Sequence, residues 1–382
     1  MQENTDDAPL EGSIDNAKLS ISRHHTLHEW TLNHTPNNAN PQPSISLHRD
    51  NTTTHVQLGT KQFLDNTPRS PITQFQEPHG DTLPSEPTVL TDCCTKWPAA
   101  ATWTLSNLAQ RTSNLSVSLD GGPSFARQSI CRGKVTLLEY ERYCNSESNN
   151  DAAPLYVFDP DVLTSMFEDG TPVQAEYSTP PCFQADIMHC LTGSRFRPLP
   201  PAWLLCGAVR SGTPIHDHPY TIAWNALLSG IKLWCCLPPD VDEELLLLNL
   251  DENGDIPDDE PFDLSAIEWF QKIDLDALPK EAKLIVQQPG EVVFLPKSWY
   301  HVVLNVETSV AISVSLTLRR DLIDLFPLLI AEDYDFALFW YNKLKEQVDG
   351  SHKDAGVSLE DICVLKKMLE EAEMNSETKN KQ

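Results

Sequence analysis

Three histidines in two separate segments have the spacing of a metal site. His216 and His218 stand two apart at the end of a predicted strand in SGTPIHDHP, and His301 begins another in PKSWYHVVLNV. Residues two apart on a strand share a face, so the three side chains can converge on one point. Ligands on one side of an ion leave open positions, as non-heme iron(II) oxygenases require. Alternating surface histidines give the same pattern, so the triplet alone leaves both readings open.

A lysine in the following segment favours the metal site. With a turn at residues 229–230, AWNALLSGIKLWCCLPP predicts a hairpin in which Asn225, Leu227, Lys232 and Trp234 share one face. If that face lines a barrel interior, Lys232 is a buried ammonium that requires a negative partner. A dicarboxylate that pairs one end with Lys232 and chelates the metal with the other satisfies both features. If the face is exposed instead, Lys232 is merely solvated, and two large apolar residues are exposed with it.

The segments that must position these residues are short strands separated by turns. Within residues 202–238 and 284–316 lie the runs AWLLCGAV, YTIAWNALL, IKLWCCL, KLIVQQ, EVVFL, YHVVLNV and SVAISVSL. Many short strands at this spacing indicate an all-β sandwich or barrel. Earlier, PTVLTD, KVTLLEYERYC and PLYVFDP are predicted as strands and WPAAATWTLSNLAQR as a helix. The fold class is therefore mainly β with flanking α-helices.

Composition divides the rest of the chain into regions. Residues 1–53 are polar with little apolar periodicity, which predicts a disordered tail, and residues 54–85 form a lead-in of uncertain structure. Residues 239–283 are an acidic insertion between strands, with a helix around SAIEWF. Helical periodicity runs through residues 321–382, and the last helix opens on the capping box SLED. These C-terminal helices are apolar enough to pack on the barrel or to form a homodimer.

The charge of the chain restricts its partners. A formal net charge of −27 repels phosphates, so direct binding of DNA, RNA or anionic membrane is not expected. The first residues are acidic and polar without a signal-peptide pattern, and no apolar run approaches the roughly 20 residues of a bilayer span. We therefore expect the chain in the nucleus or cytoplasm, not secreted, with its ten cysteines as reduced thiols.

The chain resembles one branch of the Jumonji-C (JmjC) Fe(II)/2-oxoglutarate oxygenases, the phosphatidylserine-receptor-like arginine demethylase and lysyl hydroxylase branch. The resemblance is carried by RSGTPIHDHPYTIAWNALLSGIKLWCCLPP and PGEVVFLPKSWYHVVLNVETSVAIS, and more weakly by PLYVFDP and WPAAATWTL, so that it covers residues 86–320. It implies a double-stranded β-helix of the cupin or jelly-roll type. It also implies a 2-oxoglutarate-dependent dioxygenase, either a hydroxylase or an N-methyl demethylase, with Fe(II) and 2-oxoglutarate as cofactors. The acidic charge favours a Lys/Arg-rich protein substrate.

The resemblance also assigns roles to individual positions. His216 and His301 match the two iron-binding histidines, and Lys232 matches the lysine that holds the far end of 2-oxoglutarate. Three further residues fall at positions that line the cosubstrate pocket: Tyr156, Asn225 and Ser313. At the position of Ser313 the family usually has threonine.

The metal motif departs from the family's H-x-D-P, because this chain reads His216-Asp217-His218-Pro219. Aligned on Pro219, the carboxylate ligand is replaced by His218. Aligned on Asn225 instead, Asp217 takes its place, although Asp217 then points away from His216 unless the strand ends or bulges there. Three hypotheses follow: an oxygenase with an altered iron site, a catalytically inactive JmjC-fold module that binds protein partners, or a cupin that binds a small molecule with another metal.

The acidic insertion joins two barrel strands, and loops on rigid scaffolds commonly carry recognition. We therefore predict a flap beside the mouth of the site that binds basic peptides. The alternative is a solvated insertion that only aids solubility. Neutralising Asp258, Asp259 and Glu260 separates the two, because only a flap loses peptide affinity.

Overall fold

The computed structural model describes residues 10–11, 45–49, 54–75, 82–112, 115–120, 133–146, 153–194, 202–251, 253–256, 264–349 and 356–379, together with Glu77, Ser148 and Asp151. The strands are β1 Leu10–Glu11, β2 Ile45–Arg49, β3 Thr54–Leu58, β4 Lys61–Leu64, β5 Arg69–Pro71, β6 Thr88–Thr91, β7 Ser116–Asp120, β8 Gly133–Thr136, β9 Tyr156–Asp159, β10 Ala202–Gly207, β11 Gly212–His216, β12 Ile222–Ser229, β13 Lys232–Leu237, β14 Lys283–Gln287, β15 Val292–Leu295, β16 Tyr300–Asn305 and β17 Ser309–Leu316. The α-helices are α1 Pro98–Thr102, α2 Leu105–Arg111, α3 Leu137–Ser146, α4 Ala266–Lys272, α5 Leu322–Glu332, α6 Tyr334–Asp349 and α7 Leu359–Lys379.

Two facing sheets form the barrel. The larger has the order β1-β8-β7-β9-β10-β17-β12-β15-β6-β5, and the smaller has the order β11-β16-β13-β14. From β10 onward the chain passes repeatedly from one sheet to the other, which is the path of a double-stranded β-helix. Side chains of both sheets meet inside, where Val293 and Leu295 of the larger pack with Trp234 and Val303 of the smaller. The predicted fold class is confirmed.

The connection between β12 and β13 differs from the predicted hairpin. β12 pairs with β15 and β17, whereas β13 pairs with β14 and β16, so the two strands lie in opposite sheets. The chain crosses at Gly230, whose φ of +82° and close contact with Ser309 exclude a side chain. Both strands are buried on both faces, so the short turn does not determine their pairing. Lys232 and Asn225 nevertheless reach the same interior from opposite walls and are buried there.

The segment KVTLLEYERYC is only partly the strand that was predicted. β8 ends at Thr136, and the chain continues as α3. Leu137, Tyr140 and Tyr143 recur every three residues on the buried side of this helix, a helical rather than an alternating spacing. The helix predicted from WPAAATWTLSNLAQR is likewise two helices, α1 and α2, because Thr104 caps a new one.

Residues before the barrel cover the smaller sheet. β2, β3 and β4 form a three-stranded sheet of their own. Its side chains Val56, Leu58 and Phe63 pack with the outward face of the smaller sheet. β1 and β2 lie within the predicted tail, residues 1–53, most of which lies outside the described residues.

The short segment after β4 caps the edge of the smaller sheet. β14 is the edge strand, and its free backbone groups bind side chains of this segment. The Asp65 carboxylate accepts from the Val286 amide at 2.9 Å, and the Asn66 side chain accepts from the Leu284 amide at 2.8 Å. Arg69 donates to the Val286 carbonyl at 3.0 Å. The Asn66 backbone amide also donates to the Leu284 carbonyl at 3.0 Å. The edge of the small sheet is therefore paired mainly by side chains rather than by a further strand.

The described part of the acidic insertion lies on the outside of the smaller sheet. Its predicted helix is α4, with Ser265 and Glu268 forming the capping box, and it packs with the outward face of that sheet. Burial raises the pKa of Tyr300, and the carboxylates of Asp217 and Glu243 add to this effect. The predicted flap residues 257–263, with Asp258, Asp259 and Glu260, lie outside the described residues.

The C-terminal helices α5, α6 and α7 form a cluster of their own with the turn that precedes β10. Ile187, Met188 and Leu191 of that turn are buried against the three helices. Trp340 is fully buried, and its Nε1 donates to the Ile187 carbonyl at 3.2 Å. None of the described helices is both long and apolar enough to cross a bilayer.

Replacing Trp340 with alanine should lower the free energy of unfolding by about 3–5 kcal/mol, because it removes a fully buried aromatic side chain. Leu328→Ala on α5 is the matched control, since Leu328 is 52% exposed and should cost less than about 0.5 kcal/mol. Urea denaturation of the full chain measures both values. Equal losses for the two variants would contradict the packing described for these helices.

Candidate functional site

The three predicted histidines come together at one end of the barrel. His216, at the end of β11, is the direct cross-strand partner of His301 in β16. His218 follows in the connecting loop, whose position is held because the Ser298 amide donates to the His218 carbonyl at 2.9 Å. One potential ligand atom of each histidine lies within 4.8 Å of the others. This arrangement can hold one metal ion from one side.

Hydrogen bonds hold two of the imidazole rings in place. Nδ1 of His216 lies 2.8 Å from the Pro214 carbonyl, and Nδ1 of His301 lies 3.0 Å from the Trp299 carbonyl. A carbonyl only accepts, so each Nδ1 carries the proton and each Nε2 is the unprotonated nitrogen, the one suited to bind a metal. Outer-sphere carbonyls of this kind orient metal-binding histidines in proteins.

Burial keeps these imidazoles neutral. It lowers the pKa of His218 to about 3, with His216 adding to the effect, and it lowers the pKa of His301 well below its ordinary value. The pKa of His216 is lowered for the same reason. Since a metal competes with protons for the nitrogen lone pair, neutral rings are ready to bind it near pH 7.

Asp217 is not part of this group among the described residues. The strand ends at His216, and the irregular pairing of β11 with β16 lies before that residue, between Thr213 and His216. Asp217 therefore has no bulge that turns it toward the histidines. It is half-buried, and burial raises its pKa. Of the two alternatives left by the sequence, only His218 lies with the other two histidines.

Lys232 is fully buried inside the same barrel. Its Nζ donates to the Tyr156 hydroxyl at 3.0 Å and to Asn305 Oδ1 at 2.8 Å. Both partners are neutral, and among the described residues no carboxylate forms an ion pair with it. Burial accordingly lowers the pKa of Lys232 to about 7. An ammonium in this position is poised to bind an anion.

Two further predicted pocket residues are polar and lie next to each other on the larger sheet. Asn225 on β12 and Ser313 on β17 are direct cross-strand partners on the inward face of the larger sheet. Asn225 Oδ1 is buried and has no hydrogen-bond partner among the described residues. Buried polar groups are rarely left unpaired, so these side chains fit a polar ligand between the two sheets.

Asn305 is a further side chain of this interior that was not predicted from the sequence. It is fully buried, and its side chain binds Lys232 on one side and the Ser211 carbonyl at 3.0 Å on the other. Gly207 faces it, because a Cβ there would collide with the Asn305 side chain. The signal was present in YHVVLNV, where Asn305 shares the inward face with His301.

Asp217→Ala and His218→Ala should differ in their effect on metal binding. His218→Ala removes a nitrogen from the three-histidine group, so Fe(II) affinity should fall by more than the roughly 10- to 100-fold that loss of an outer-sphere partner costs. Asp217→Ala should leave it unchanged. Anaerobic titration with Fe(II), followed by calorimetry, measures both, and His301→Ala sets the level of full loss. A loss confined to Asp217→Ala would overturn this assignment.

Part of the chain is similar to a known domain family. Residues 203–316 match the model of the JmjC domain, described as a hydroxylase. These residues include β11 to β17 and all three histidines.

Several characterised relatives share more of the chain. The psr-1 protein of Caenorhabditis briggsae, named a bifunctional arginine demethylase and lysyl-hydroxylase, is 31% identical over 274 residues, or 69% of this chain and 64% of its own length. The arginine-specific demethylase JMJ22 of Arabidopsis thaliana is 30% identical over 74% of this chain and 49% of its own length. Chicken JMJD4, named a 2-oxoglutarate and iron-dependent oxygenase, is 28% identical over 37% of this chain. This chain thus spans less than two thirds of the length of these relatives. It belongs to the JmjC family, and its similarity lies with the branch that includes the arginine demethylases and lysyl hydroxylases.

Proposed function

We propose that the chain is an Fe(II)- and 2-oxoglutarate-dependent protein oxygenase. The observation that carries this proposal is the buried Lys232 ammonium, which has no carboxylate partner among the described residues and shares its barrel with three converging imidazoles. A dicarboxylate that pairs with Lys232 at one end and chelates a metal at the other would account for both the buried cation and the three histidines. Relatives named as arginine demethylases and as a 2-oxoglutarate and iron-dependent oxygenase support the same activity.

His216, His218 and His301 would hold the iron through nitrogen. Lys232 and Tyr156 would hold the far carboxylate of 2-oxoglutarate, and Asn225 and Ser313 would bind along the same pocket as the polar groups of its wall. When both groups are bound, they supply an oxidation in which O2 is consumed, 2-oxoglutarate becomes succinate and CO2, and a substrate C–H bond gains oxygen. Hydroxylation of a carbon is one outcome, and loss of an N-methyl group as formaldehyde is the other.

The protein's own contribution is charge placement and exclusion of water. Lys232 provides a charge-assisted hydrogen bond of about 1.5–3 kcal/mol to the carboxylate. Asn305 positions Lys232, because its Oδ1 accepts a hydrogen bond from Nζ at 2.8 Å. Trp234 lies beside His301 with ring centroids 6.0 Å apart and anchors itself to Gln287 Oε1 at 2.8 Å. These apolar and neutral walls keep the interior dry, which strengthens the interactions of a bound anion.

The proposed substrate is a Lys/Arg-rich protein. The net charge of −27 attracts basic sequences, and the psr-1 relatives are named for reactions on arginine and lysine. The acidic insertion as a flap, a homodimer through the C-terminal helices, and residence in the nucleus or cytoplasm stay predictions from the sequence.

One observation favours a second function, a JmjC-fold module that binds proteins without turnover. The family's carboxylate ligand is absent from the histidine group, and His218 lies there instead. A metal held by three neutral ligands keeps one more positive charge than one held by two histidines and a carboxylate, which alters its redox behaviour.

Succinate formation from 2-oxoglutarate, with Fe(II), ascorbate and O2 present, separates the two functions. We expect turnover by the wild-type chain and its loss in His301→Ala, because this replacement removes a metal ligand. Iron binding without succinate formation would select the binding module. A wild-type chain that binds neither iron nor 2-oxoglutarate would end the oxygenase proposal.

His218→Asp restores the family's carboxylate at the position of the third ligand. We expect it to retain Fe(II) binding and to hold or raise succinate formation relative to wild type, since it lowers the charge of the site by one. His218→Asn, a neutral residue of nearly the same size as aspartate, is the matched control and should not show this gain. Loss of iron binding in His218→Asp would contradict His218 as the third ligand.

The affinity for 2-oxoglutarate should depend on pH through Lys232. Its pKa is about 7, so the free protein loses the ammonium proton as pH rises through that value. Affinity should therefore be greatest below pH 7 and fall by about tenfold per pH unit above it, until the higher pKa of the complex is reached. In Lys232→Arg the cation stays charged, so its affinity should be flat over the same range. Calorimetry with Mn(II) in place of Fe(II) measures both, and equal pH profiles would contradict the prediction.

A further inference from the structure

Two aromatic side chains on the inward face of the larger sheet take no part in the proposed binding of metal or cosubstrate. The ring centroids of Phe158 on β9 and Trp203 on β10 are 4.4 Å apart, with 38° between the ring planes. Both rings pack on the interior cluster that contains Tyr156 and Leu205. Neither side chain is fully buried, so part of each remains accessible to a ligand.

The strand register places Trp203 beside the polar pocket residues. Trp203 is the cross-strand partner of Ser313, and Ser313 is the partner of Asn225. An indole, a hydroxyl and an amide therefore form one row across β10, β17 and β12. Asn225 Oδ1 is buried without a hydrogen-bond partner among the described residues, so this row can bind a polar group of a ligand.

The same register places Trp203 at the histidine end of the barrel. Gly207 and Asn305 face each other across the interior. Trp203 precedes Gly207 by four residues on β10, and His301 precedes Asn305 by four residues on β16. The two steps run in the same direction along the barrel. On the larger sheet, this direction leads to Ala223 of β12, which pairs with Ser315, two residues beyond Ser313. Ala223 packs in one cluster with Trp299, which lies two residues before His301. Trp203 and the histidines thus occupy opposite walls of one end.

We propose that Trp203, supported by Phe158, binds the cationic side chain of the substrate beside the metal site. The face of an aromatic ring attracts cations, and tryptophan does so most strongly. Phe158 packs against the indole with its ring tilted and restricts the orientation of Trp203, so that little entropy is lost on binding. This inference rests on the proposed oxygenase function and names the feature that selects its substrate, a guanidinium or an ammonium group.

The cosubstrate is a poorer occupant for this surface. Its carboxylates are repelled by the negative face of a ring. Lys232, which attracts a carboxylate, lies beside Tyr156, and Tyr156 precedes Phe158 by two residues on β9. The anion is therefore held further inside, and Trp203 lies nearer the histidine end, where a positively charged group would bind.

The test compares a charged peptide with its neutral isostere. Full-length protein loaded with Mn(II) and 2-oxoglutarate is titrated with a peptide that contains one arginine and with the same peptide carrying citrulline, which has the shape of arginine without its charge. Wild type, Trp203→Leu, Trp203→Phe and the surface control Leu328→Ala are compared by calorimetry. The affinity of each variant for 2-oxoglutarate is measured separately, and thermal unfolding confirms that each is folded.

We expect wild type to bind the arginine peptide about tenfold more tightly than the citrulline peptide, and Trp203→Leu to lose that preference. Trp203→Phe, which keeps an aromatic face, should retain part of it, and Leu328→Ala should retain it all. Affinity for 2-oxoglutarate should be the same in all four proteins.

Three results would overturn the proposal. These are an equal loss of both peptides in Trp203→Leu, the absence of any arginine preference in wild type, and a loss of 2-oxoglutarate binding in Trp203→Leu, which would place the ring against the cosubstrate. Failure of the oxygenase function itself is a different outcome, because the wild type would then bind no 2-oxoglutarate. If Trp203→Leu does not fold, Phe158→Leu provides the second variant, with a smaller loss of arginine preference as the expected result.

Discussion

The Lys232 ammonium is fully buried between the two sheets, so hydrogen bonds from the protein must replace the water that would otherwise stabilise its charge. Tyr156 comes from β9 of the larger sheet and Asn305 from β16 of the smaller, so the two hydrogen bonds to Lys232 join the walls of the barrel. The Asn305 side chain also donates to the Ser211 carbonyl, just before the strand that carries His216. A single amide thereby links the position of the buried cation to the position of the histidines. Replacing either hydrogen-bond partner would leave the cation less solvated, a larger cost than one lost hydrogen bond.

The sequence predicted the strands and the key side chains better than it predicted how they are paired. β10 and β12 to β17 follow from short apolar runs, and the histidines and Lys232 follow from their types and spacing. The hairpin at Gly230 was wrong, because a strand that is buried on both faces carries no alternation to show which neighbour it pairs with. The region after Thr136 was mistaken for strand although its aromatic residues recur every three. Asn305 and Trp203 were not predicted because the pocket residues beside them, Lys232 and Ser313, lie more than seventy residues away in sequence.

The histidine at position 218 changes the charge of the proposed metal site. A carboxylate ligand would bring its own negative charge to a divalent ion, whereas the three imidazoles here are neutral, and burial holds them so. The bound anion then has to supply more of the compensating charge. Binding of metal and cosubstrate should therefore be more strongly coupled than in a site with a carboxylate. The Ser298 amide, which fixes the His218 backbone, limits how far this loop can move to compensate.

The side-chain cap on β14 bears on how the protein avoids self-association. An exposed outer edge is a template on which a second chain can add a strand, and natural sheets protect such edges. Here Asp65, Asn66 and Arg69 occupy the free amides and carbonyls of β14, although they precede that strand by more than two hundred residues. The stretch that matches the JmjC domain does not contain them. A fragment cut to that stretch would keep every residue proposed to bind iron and nearly all of the cosubstrate pocket, yet it would present a bare strand edge. Its solubility, rather than its chemistry, would then depend on residues that lie outside the domain.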